Sequence, residues 1–333
     1  MNEGLAKYLD AHPDTKMVIF AGKGGLGKST CSAALGVYLA SKRGVKTLTF
    51  STDPQASLSD VFERDLYGKG EVEVIKNLYV VEIDADRRVN EYIEGVRNRI
   101  RDMYKMDEIP PEIESYLESS KAEPAMYESA TYDAMVEYLA EGKYDYYIFD
   151  MPPFGHGLRM IAMAEVLNAW VERITEAREK AKEYEDIASR LRGGSPVTED
   201  AVLNELYEIR DKLSYFRNTM LDRDRTAFFI VMTPEKLSIL DTERALEMFK
   251  SLGIELSGVV INQILPREMI DNPSKLVSNK AKLQWEYMEE IKDKFGDMIV
   301  ASIPMFEREP KGIEMLERVA KYLVEEPLDI GGG

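Results

Sequence analysis

The most informative part of this sequence is residues 22–30, which read Gly22-Lys23-Gly24-Gly25-Leu26-Gly27-Lys28-Ser29-Thr30. Glycines allow backbone N–H groups to turn inward onto phosphate oxygens, and a helix that follows adds its positive end. In such a loop Lys28 reaches the terminal phosphates of a nucleotide and Ser29 binds Mg²⁺. A glycine-rich turn that only caps a helix is the alternative. The nucleotide site is favoured because four positions of the pattern GxxxxGKS are filled between an apolar run and an amphipathic stretch. They are Gly22, Gly27, Lys28 and Ser29.

Short runs rich in β-branched and aromatic residues recur on both sides of this loop. Most are almost continuously apolar, which is typical of strands covered on both faces. Amphipathic stretches with helical spacing lie between most of them, so we predict an α/β fold with a doubly wound, mainly parallel sheet. The apolar runs are 16–22, 45–52, 78–83, 144–150, 226–232, 256–262 and 298–303.

Two long intervals, 86–141 and 156–225, interrupt this alternation with helical spacing and no convincing strand. Because both leave and re-enter the same sheet, we predict a helical subdomain inserted into a nucleotide-binding core. The predicted core comprises 1–85, 140–165 and 225–330, the helical subdomain comprises 86–139 and 166–224, and 331–333 form a tail.

The charge balance limits the classes of partner. The chain has 43 Lys and Arg against 60 Asp and Glu, a net charge of −17. Non-specific binding of nucleic acid and attraction to an anionic membrane both need a basic surface, so neither is expected and membrane contact is at most indirect.

Cys31 is the single cysteine, which excludes an intramolecular disulfide and indicates a reducing compartment. The N-terminus lacks the apolar stretch of a signal peptide, so we expect a cytoplasmic protein.

Two aspartates lie where active-site carboxylates occur in such sheets. Asp53 comes just after the second apolar run, in Ser51-Thr52-Asp53-Pro54-Gln55. Asp150 ends the run Tyr146-Tyr147-Ile148-Phe149-Asp150, as the acid that holds Mg²⁺ through water does in nucleotide-hydrolysing proteins. An aspartate that ends a strand is also a common turn former. The combination of strand, acid and phosphate loop favours the functional interpretation.

Five motifs in this order, GKGGxGKST, STDPxxxLSDVF, FDxxPxGHxLR, VINQ and PMFEREPKG, resemble the ArsA-type ATPase family. That family includes arsenite-pump ATPases and targeting factors for tail-anchored membrane proteins. The resemblance covers nearly the whole chain. It implies an ATPase that forms a homodimer, or a higher oligomer, and closes over two molecules of ATP with Mg²⁺. Hydrolysis would then be coupled to movement of the helical subdomains and to capture and release of a client.

The resemblance also implies roles for single residues. Lys28, Lys23 and Asp53 would be catalytic, with Lys23 crossing the dimer interface to the partner's nucleotide and Asp53 orienting the attacking water. Ser29 and Asp150 would hold Mg²⁺, and Thr30 would lie beside the phosphates. The remaining matches are Gly155 and His156 in switch II, Glu235 at the neighbouring subunit's nucleotide, Asn262 at the adenine, and the adenine loop Pro304-Met305-Phe306-Glu307-Arg308-Glu309-Pro310-Lys311.

Departures from the family pattern narrow these expectations. Ser278 and Ala281 stand where the eukaryotic-type targeting factors have a CxxC, so no zinc is expected. The arsenite-pump ATPases have a three-thiolate site and two phosphate loops in one longer chain, which disfavours arsenite transport here. Switch II reads Asp150-Met151-Pro152-Pro153-Phe154 and so resembles the DMPP form of the MinD-type relatives.

The expected client is a hydrophobic or amphipathic helix. Methionine-rich helices suit a promiscuous apolar groove, although methionines at helical spacing equally belong to a core. Against such a groove, residues 172–192 contain six basic and six acidic residues. Two alternatives remain open: a MinD/ParA-type positioning ATPase acting on membrane or DNA, and a nucleotide-dependent assembly scaffold. The methionines in or beside the helical intervals are Met103, Met106, Met126, Met135, Met160, Met163 and Met220.

Overall fold

The computed structural model describes residues 3–52, 57–104, 106–121, 124–152, 154–191 and 200–331. Asp53 lies outside these ranges, and so does the side chain of His156. The strands are β1 (Met17–Ala21), β2 (Thr47–Ser51), β3 (Val72–Ile75), β4 (Leu78–Glu82), β5 (Tyr146–Asp150), β6 (Thr226–Met232), β7 (Gly258–Ile264) and β8 (Ile299–Pro304).

The α-helices alternate with these strands in the first and last thirds of the chain. They are α1 (Leu5–Ala11), α2 (Lys28–Tyr38), α3 (Ser57–Phe62), α4 (Ala85–Tyr104), α5 (Pro111–Ser120), α6 (Pro124–Glu141), α7 (Phe154–Leu191), α8 (Ala201–Leu221), α9 (Lys236–Ser251), α10 (Lys275–Phe295) and α11 (Gly312–Ala320). Short 3₁₀ turns lie at Arg267–Asp271 and Gly296–Met298, and π-helical turns at Leu39–Arg43 and Lys321–Glu325.

The eight strands form one sheet in the order β3-β4-β2-β5-β1-β6-β7-β8. All neighbouring pairs are parallel except β3 and β4. β1 lies between β5 and β6, and every residue of β1, β2 and β6 is buried. The prediction of an α/β fold with a mainly parallel sheet is confirmed.

Residues of one strand alternate between two packed faces of the sheet. On β7, Val260 belongs to the buried cluster that includes Leu35 of α2 and Leu316 of α11. Its neighbours Val259 and Ile261 instead belong to the cluster that includes Met288 of α10. Helices therefore cover both faces, which is the doubly wound arrangement and explains why the apolar runs are nearly continuous.

β3 is missing from the predicted strands. It is a four-residue antiparallel edge strand in which only Val74 is buried. An edge strand with one side open to solvent carries a mixed sequence, Val-Glu-Val-Ile, and does not produce the apolar run by which the other strands are recognised.

The chain divides into two compact units. The first comprises Met1–Asp84, Glu141–Leu158 and Leu221–Gly333 and contains the sheet, and the second comprises Ala85–Ala140 and Arg159–Met220. The described residues of the second unit lie in α4 to α8 and their connections. Among the described residues, no helix contains a stretch long and apolar enough to cross a membrane.

The second unit has its own small core and a cluster of ion pairs around a buried arginine. Its core includes Val89, Ile93, Leu117 and Ala130. Beside it, the Arg97 guanidinium is buried and donates to the carboxylates of Glu94, Glu114 and Glu118. A guanidinium that is withdrawn from water needs such partners, and here they join α4 to α5.

Candidate nucleotide site

The loop between β1 and α2 has a shape that requires glycine at two positions. Gly27 has φ +94°, and a Cβ there would lie 2.2 Å from Nδ2 of Asn262. A Cβ on Gly22 would lie 2.7 Å from the carbonyl oxygen of Val231. The backbone thus approaches two neighbouring strands too closely for any side chain. This leaves the N–H groups of the loop and of the start of α2 to form an anion-binding concavity.

Lys28 is the first residue of α2 and its side chain is directed back over the loop. The residue is only 7% exposed, and its Nζ donates to the carbonyl oxygen of Lys23 at 3.0 Å. A lysine ammonium is rarely buried to this extent without a partner. The contact holds the positive charge within the concavity, where the phosphates of a nucleotide would neutralise it.

Asp150 lies at the end of β5, beside the loop, because β5 is the direct neighbour of β1 in the sheet. Its carboxylate is buried, and Oδ2 accepts the Ser29 hydroxyl at 2.6 Å. The hydroxyls of Ser51 and Ser57 reach the same oxygen, each at 3.3 Å. A hydroxyl and a carboxylate are the hard oxygen ligands that Mg²⁺ prefers, so Ser29 and Asp150 fit a magnesium ion bound to phosphates.

The segment after β2 is attached to the sheet by a buried acid that the sequence analysis missed. The carboxylate of Glu82, at the end of β4, accepts the backbone N–H groups of Leu58 at 2.7 Å and Ser59 at 3.1 Å, and also the Ser59 hydroxyl. These bonds hold the start of α3. Glu82 could have been predicted from the sequence, because it is an acid at the end of an apolar run, the same pattern that identified Asp150.

The expected adenine residues lie at the ends of β7 and β8. Asn262 is buried on β7, and its Nδ2 donates to the carbonyl oxygen of Leu26 in the phosphate loop at 2.9 Å. Beyond β8, the Phe306 ring lies against the Tyr322 ring at 6.1 Å and the Arg318 guanidinium at 5.3 Å.

Lys311, the last residue of the adenine loop, connects that loop to α3. Its Nζ contacts Asp60 at 2.7 Å and Glu309 at 3.0 Å. These hydrogen bonds raise the pKa of Lys311 above its ordinary value. Residues that are 251 positions apart in the sequence therefore meet in the first unit.

The two residues expected at a dimer interface lie near the surface of the first unit. Lys23 is half exposed, and its Nζ lies 3.2 Å from Oδ2 of Asp241 on α9. Glu235 is exposed and immediately precedes α9. Asp241 was not among the predicted site residues, because an aspartate inside an amphipathic helix has no distinctive spacing.

Cys31 lies inside α2, behind the loop, and is completely buried. Burial is the main factor that raises the pKa of its thiol, the charge of Asp150 adds to this, and Lys28 opposes it. The thiol therefore stays neutral in the folded protein and does not offer the thiolate needed to bind a soft ion.

Comparison with known proteins identifies the family of this chain. The family described as Anion-transporting ATPase (ArsA ATPase) matches residues 15–325. A putative arsenical pump-driving ATPase 2 of Aquifex aeolicus is 32% identical over 311 residues, covering 92% of this chain and 99% of that protein. The ATPase ASNA1 homolog 2 of Paramecium tetraurelia is 29% identical and covers 97% of this chain and 98% of its own length. The ATPase get3 of Pyrenophora tritici-repentis is 26% identical, with 93% and 91% covered. The chain therefore belongs to the ArsA-type ATPase family and is an ATPase.

Proposed function

We propose that this ATPase is a homodimeric switch that couples binding and hydrolysis of Mg-ATP to the capture and release of a client helix. The observation that carries the proposal is the division of the chain into a unit that holds the phosphate loop and a purely helical second unit in the described residues. The chain passes from one unit to the other at Leu158, a few residues after Asp150. A change at the phosphates can therefore be transmitted along the chain to the helical unit.

Each part of the site has a distinct task in this proposal. Lys28 binds the terminal phosphates, Ser29 and Asp150 hold Mg²⁺, and Asp53 orients the attacking water. Bound Mg-ATP supplies the anhydride whose terminal phosphoryl group is transferred to water. Thr30 supports the phosphates, Gly155 and His156 respond to the terminal phosphate, and Asn262 with residues 304–311 holds the adenine.

The exposed apolar residues of the second unit support a helical client. On α7 these are Trp170, Tyr184, Ile187 and Leu191, which are 62%, 73%, 48% and 83% exposed. Apolar residues that are exposed singly are ordinary, but Tyr184, Ile187 and Leu191 recur at helical spacing on one side of α7, and a contiguous apolar patch is typical of an interaction surface. They are mixed with charged residues, which suits an amphipathic or moderately hydrophobic helix.

The methionines contribute less to such a surface than their number indicates. Met135 and Met220 are buried, and Met126 packs against the core of the second unit, whereas Met106 is 37% exposed. The side chains of Met103, Met160 and Met163 lie outside the described residues. The client surface that we propose is therefore formed by aromatic and branched residues rather than by a methionine groove.

A client role is also preferred to arsenite transport. Some relatives are named putative arsenical pump-driving ATPases. A dimer of this chain would contain only two thiols, one in each protomer, and Cys31 is buried in the sheet unit with a raised thiol pKa. A three-thiolate site cannot be assembled from them.

We expect the Asp53→Asn protein, loaded with ATP, to bind a peptide that carries one tail-anchor helix, and to release it without nucleotide. Leu191→Asp should weaken this binding by roughly tenfold to 150-fold, because burial of a leucine is worth about 1.5–3 kcal/mol. The control is Leu276→Asp, which changes an 80% exposed leucine on α10 of the first unit. Fluorescence anisotropy of a labelled peptide measures both affinities.

Equal binding with and without nucleotide, or equal loss in both variants, would contradict the client proposal. The same preparations test the positioning alternative, since ATP-dependent sedimentation with anionic vesicles or retardation of DNA would support a MinD/ParA-type activity instead.

A second prediction concerns dimerisation. If Lys23 reaches the partner's nucleotide, its contact with Asp241 has to be broken in both protomers first. Lys23 is half exposed, and ion pairs that are open to solvent are worth about 0.2–1 kcal/mol each, so Asp241→Asn should lower the ATP-dependent dimer dissociation constant by about twofold to thirtyfold. Added salt should reduce the difference between the two proteins. Analytical ultracentrifugation with the Asp53→Asn background measures the constant.

Removal of any negative charge also reduces repulsion between two protomers of net charge −17. Asp297→Asn is therefore the matched control, because Asp297 is exposed and lies outside the site. If Asp241→Asn and Asp297→Asn give the same dimer dissociation constant, the ion pair between Lys23 and Asp241 does not oppose dimerisation.

A further inference from the structure

The strand that carries Asn262 contains an irregularity at the next residue. Ile261 pairs with Ser302 and Ile264 with Pro304, so three steps along β7 face two steps along β8. The extra residue forms a bulge, a feature that often redirects side chains beside functional sites. Gln263 lies in it with φ +60°, a left-handed conformation that is unfavourable for a residue with a side chain. Contacts with the surrounding protein have to maintain it.

Gln284, on α10, supplies the main contacts that hold this bulge. It is only 3% exposed. Its Nε2 donates to the carbonyl oxygen of Gln263 at 3.3 Å, and its Oε1 accepts the backbone N–H of Leu265 at 2.8 Å. The indole N–H of Trp285 donates to the carbonyl oxygen of Leu265 at 3.0 Å. The Gln263 side chain in turn donates to the carbonyl oxygen of Gly25 at 3.3 Å.

The bulge determines how the Asn262 amide is oriented. The backbone N–H of Gln263 donates to Oδ1 of Asn262 at 2.9 Å, and Nδ2 donates to the carbonyl oxygen of Leu26 at 2.9 Å. A backbone N–H can only donate and a backbone carbonyl can only accept, so these two bonds distinguish Oδ1 from Nδ2. These two bonds use one of the two N–H groups and one of the two lone pairs of the amide, so one donor and one acceptor are left for the base in the proposal that follows.

We propose that Gln263, held in its left-handed bulge by Gln284, is a positioning residue that makes Asn262 select adenine over guanine. This rests on the proposed function, in which Asn262 meets the base. Adenine presents its amino group as a donor next to a ring nitrogen acceptor, which an amide with one donor and one acceptor complements. Guanine presents two acceptors, O6 and N7, on one edge. On its other edge it presents an acceptor, O6, and a donor, N1–H, in the places where adenine has a donor and an acceptor. An amide that rotates freely could exchange its oxygen and nitrogen to match guanine, whereas the fixed amide of Asn262 cannot.

The test is the ratio of the dissociation constants of GDP and ADP, measured by calorimetry with the full chain. The phosphates are common to both ligands, so the ratio reports on the base alone. Asn262→Ala should lower the preference for ADP by about fivefold to 150-fold, the discrimination expected of one amide and base pair. Gln263→Val should remove most of the same preference, because a β-branched residue is strongly disfavoured at positive φ.

Gln263→Gly is the matched variant that should retain the preference. Glycine adopts positive φ readily and keeps the backbone N–H that binds Oδ1 of Asn262, although the contact with Gly25 is lost. Gln284→Met retains the volume of the buried side chain, removes its hydrogen bonds, and should also lower the ratio. Met288→Leu, at a buried position one turn further along α10, should leave it unchanged. Thermal unfolding of each nucleotide-free variant shows whether it is folded.

A loss of preference in Asn262→Ala with no loss in Gln263→Val or Gln284→Met would overturn the positioning role. An unchanged ratio in Asn262→Ala would instead mean that the adenine assignment in the proposed function is wrong, and this inference with it. If Gln263→Val does not fold, Gln284→Met alone decides between these outcomes.

Discussion

The Asp53→Asn variant is expected to hydrolyse ATP about 10²–10⁴ times more slowly than the natural chain while it still binds ATP. Asparagine keeps the size of the side chain but removes the negative charge that, in the proposed function, polarises the attacking water. Ser51 and Ser57, which lie on either side of residues 52–56 in the sequence, both donate to the Asp150 carboxylate beside the phosphate loop. Steady-state phosphate release and calorimetric titration with ATP measure the two properties.

Asp65→Asn is the matched control for this variant. Asp65 is exposed and paired with Lys69, four residues further along the chain, so its charge can be removed without changing the site. Unchanged turnover in Asp53→Asn, or equal losses in both variants, would remove Asp53 from the mechanism.

Lys28→Met should lower turnover by about 10²–10³, the usual effect of removing one charged or hydrogen-bonding group aimed at a transition state. Methionine preserves most of the buried side-chain volume, so the change mainly removes the ammonium that Lys23 holds over the loop. In the proposed function that charge also binds the phosphates in the ground state, so ATP affinity should fall as well. Turnover and affinity are measured by the same two assays as for Asp53→Asn.

Lys42→Ala provides the comparison for Lys28→Met. Lys42 is exposed in the π-helical turn that follows α2, away from the loop. A Lys28→Met protein that binds and hydrolyses ATP normally would mean that the glycine-rich loop is not the nucleotide site.

The features that could be predicted are those encoded over a few adjacent residues. The glycines of the loop, the apolar runs of β1, β5 and β6, and the acid at the end of β5 are each recognisable from a short segment. β3 escaped prediction because one side of an edge strand is open to solvent. Glu82 and Gln263 escaped it because an acid at a strand end and a glutamine in a strand have many ordinary roles.

The methionines also show the difference between what local spacing predicts and what packing decides. Their spacing is compatible with a groove or with a core, because both require one apolar face on each helix. Only packing against neighbouring helices distinguishes the two, and it buries Met135 and Met220.

By itself, the sequence determined the class of this protein: the glycine-rich loop and the mainly parallel α/β sheet both follow from local spacing and steric requirements. The tertiary structure decided which distant groups act together. It joins Ser29 to Asp150, Asn262 to Leu26, and Lys23 to Asp241. Such contacts depend on the order of the strands in the sheet and on where the helices between them pack, and both arise from packing of the whole chain rather than from the residues around each position.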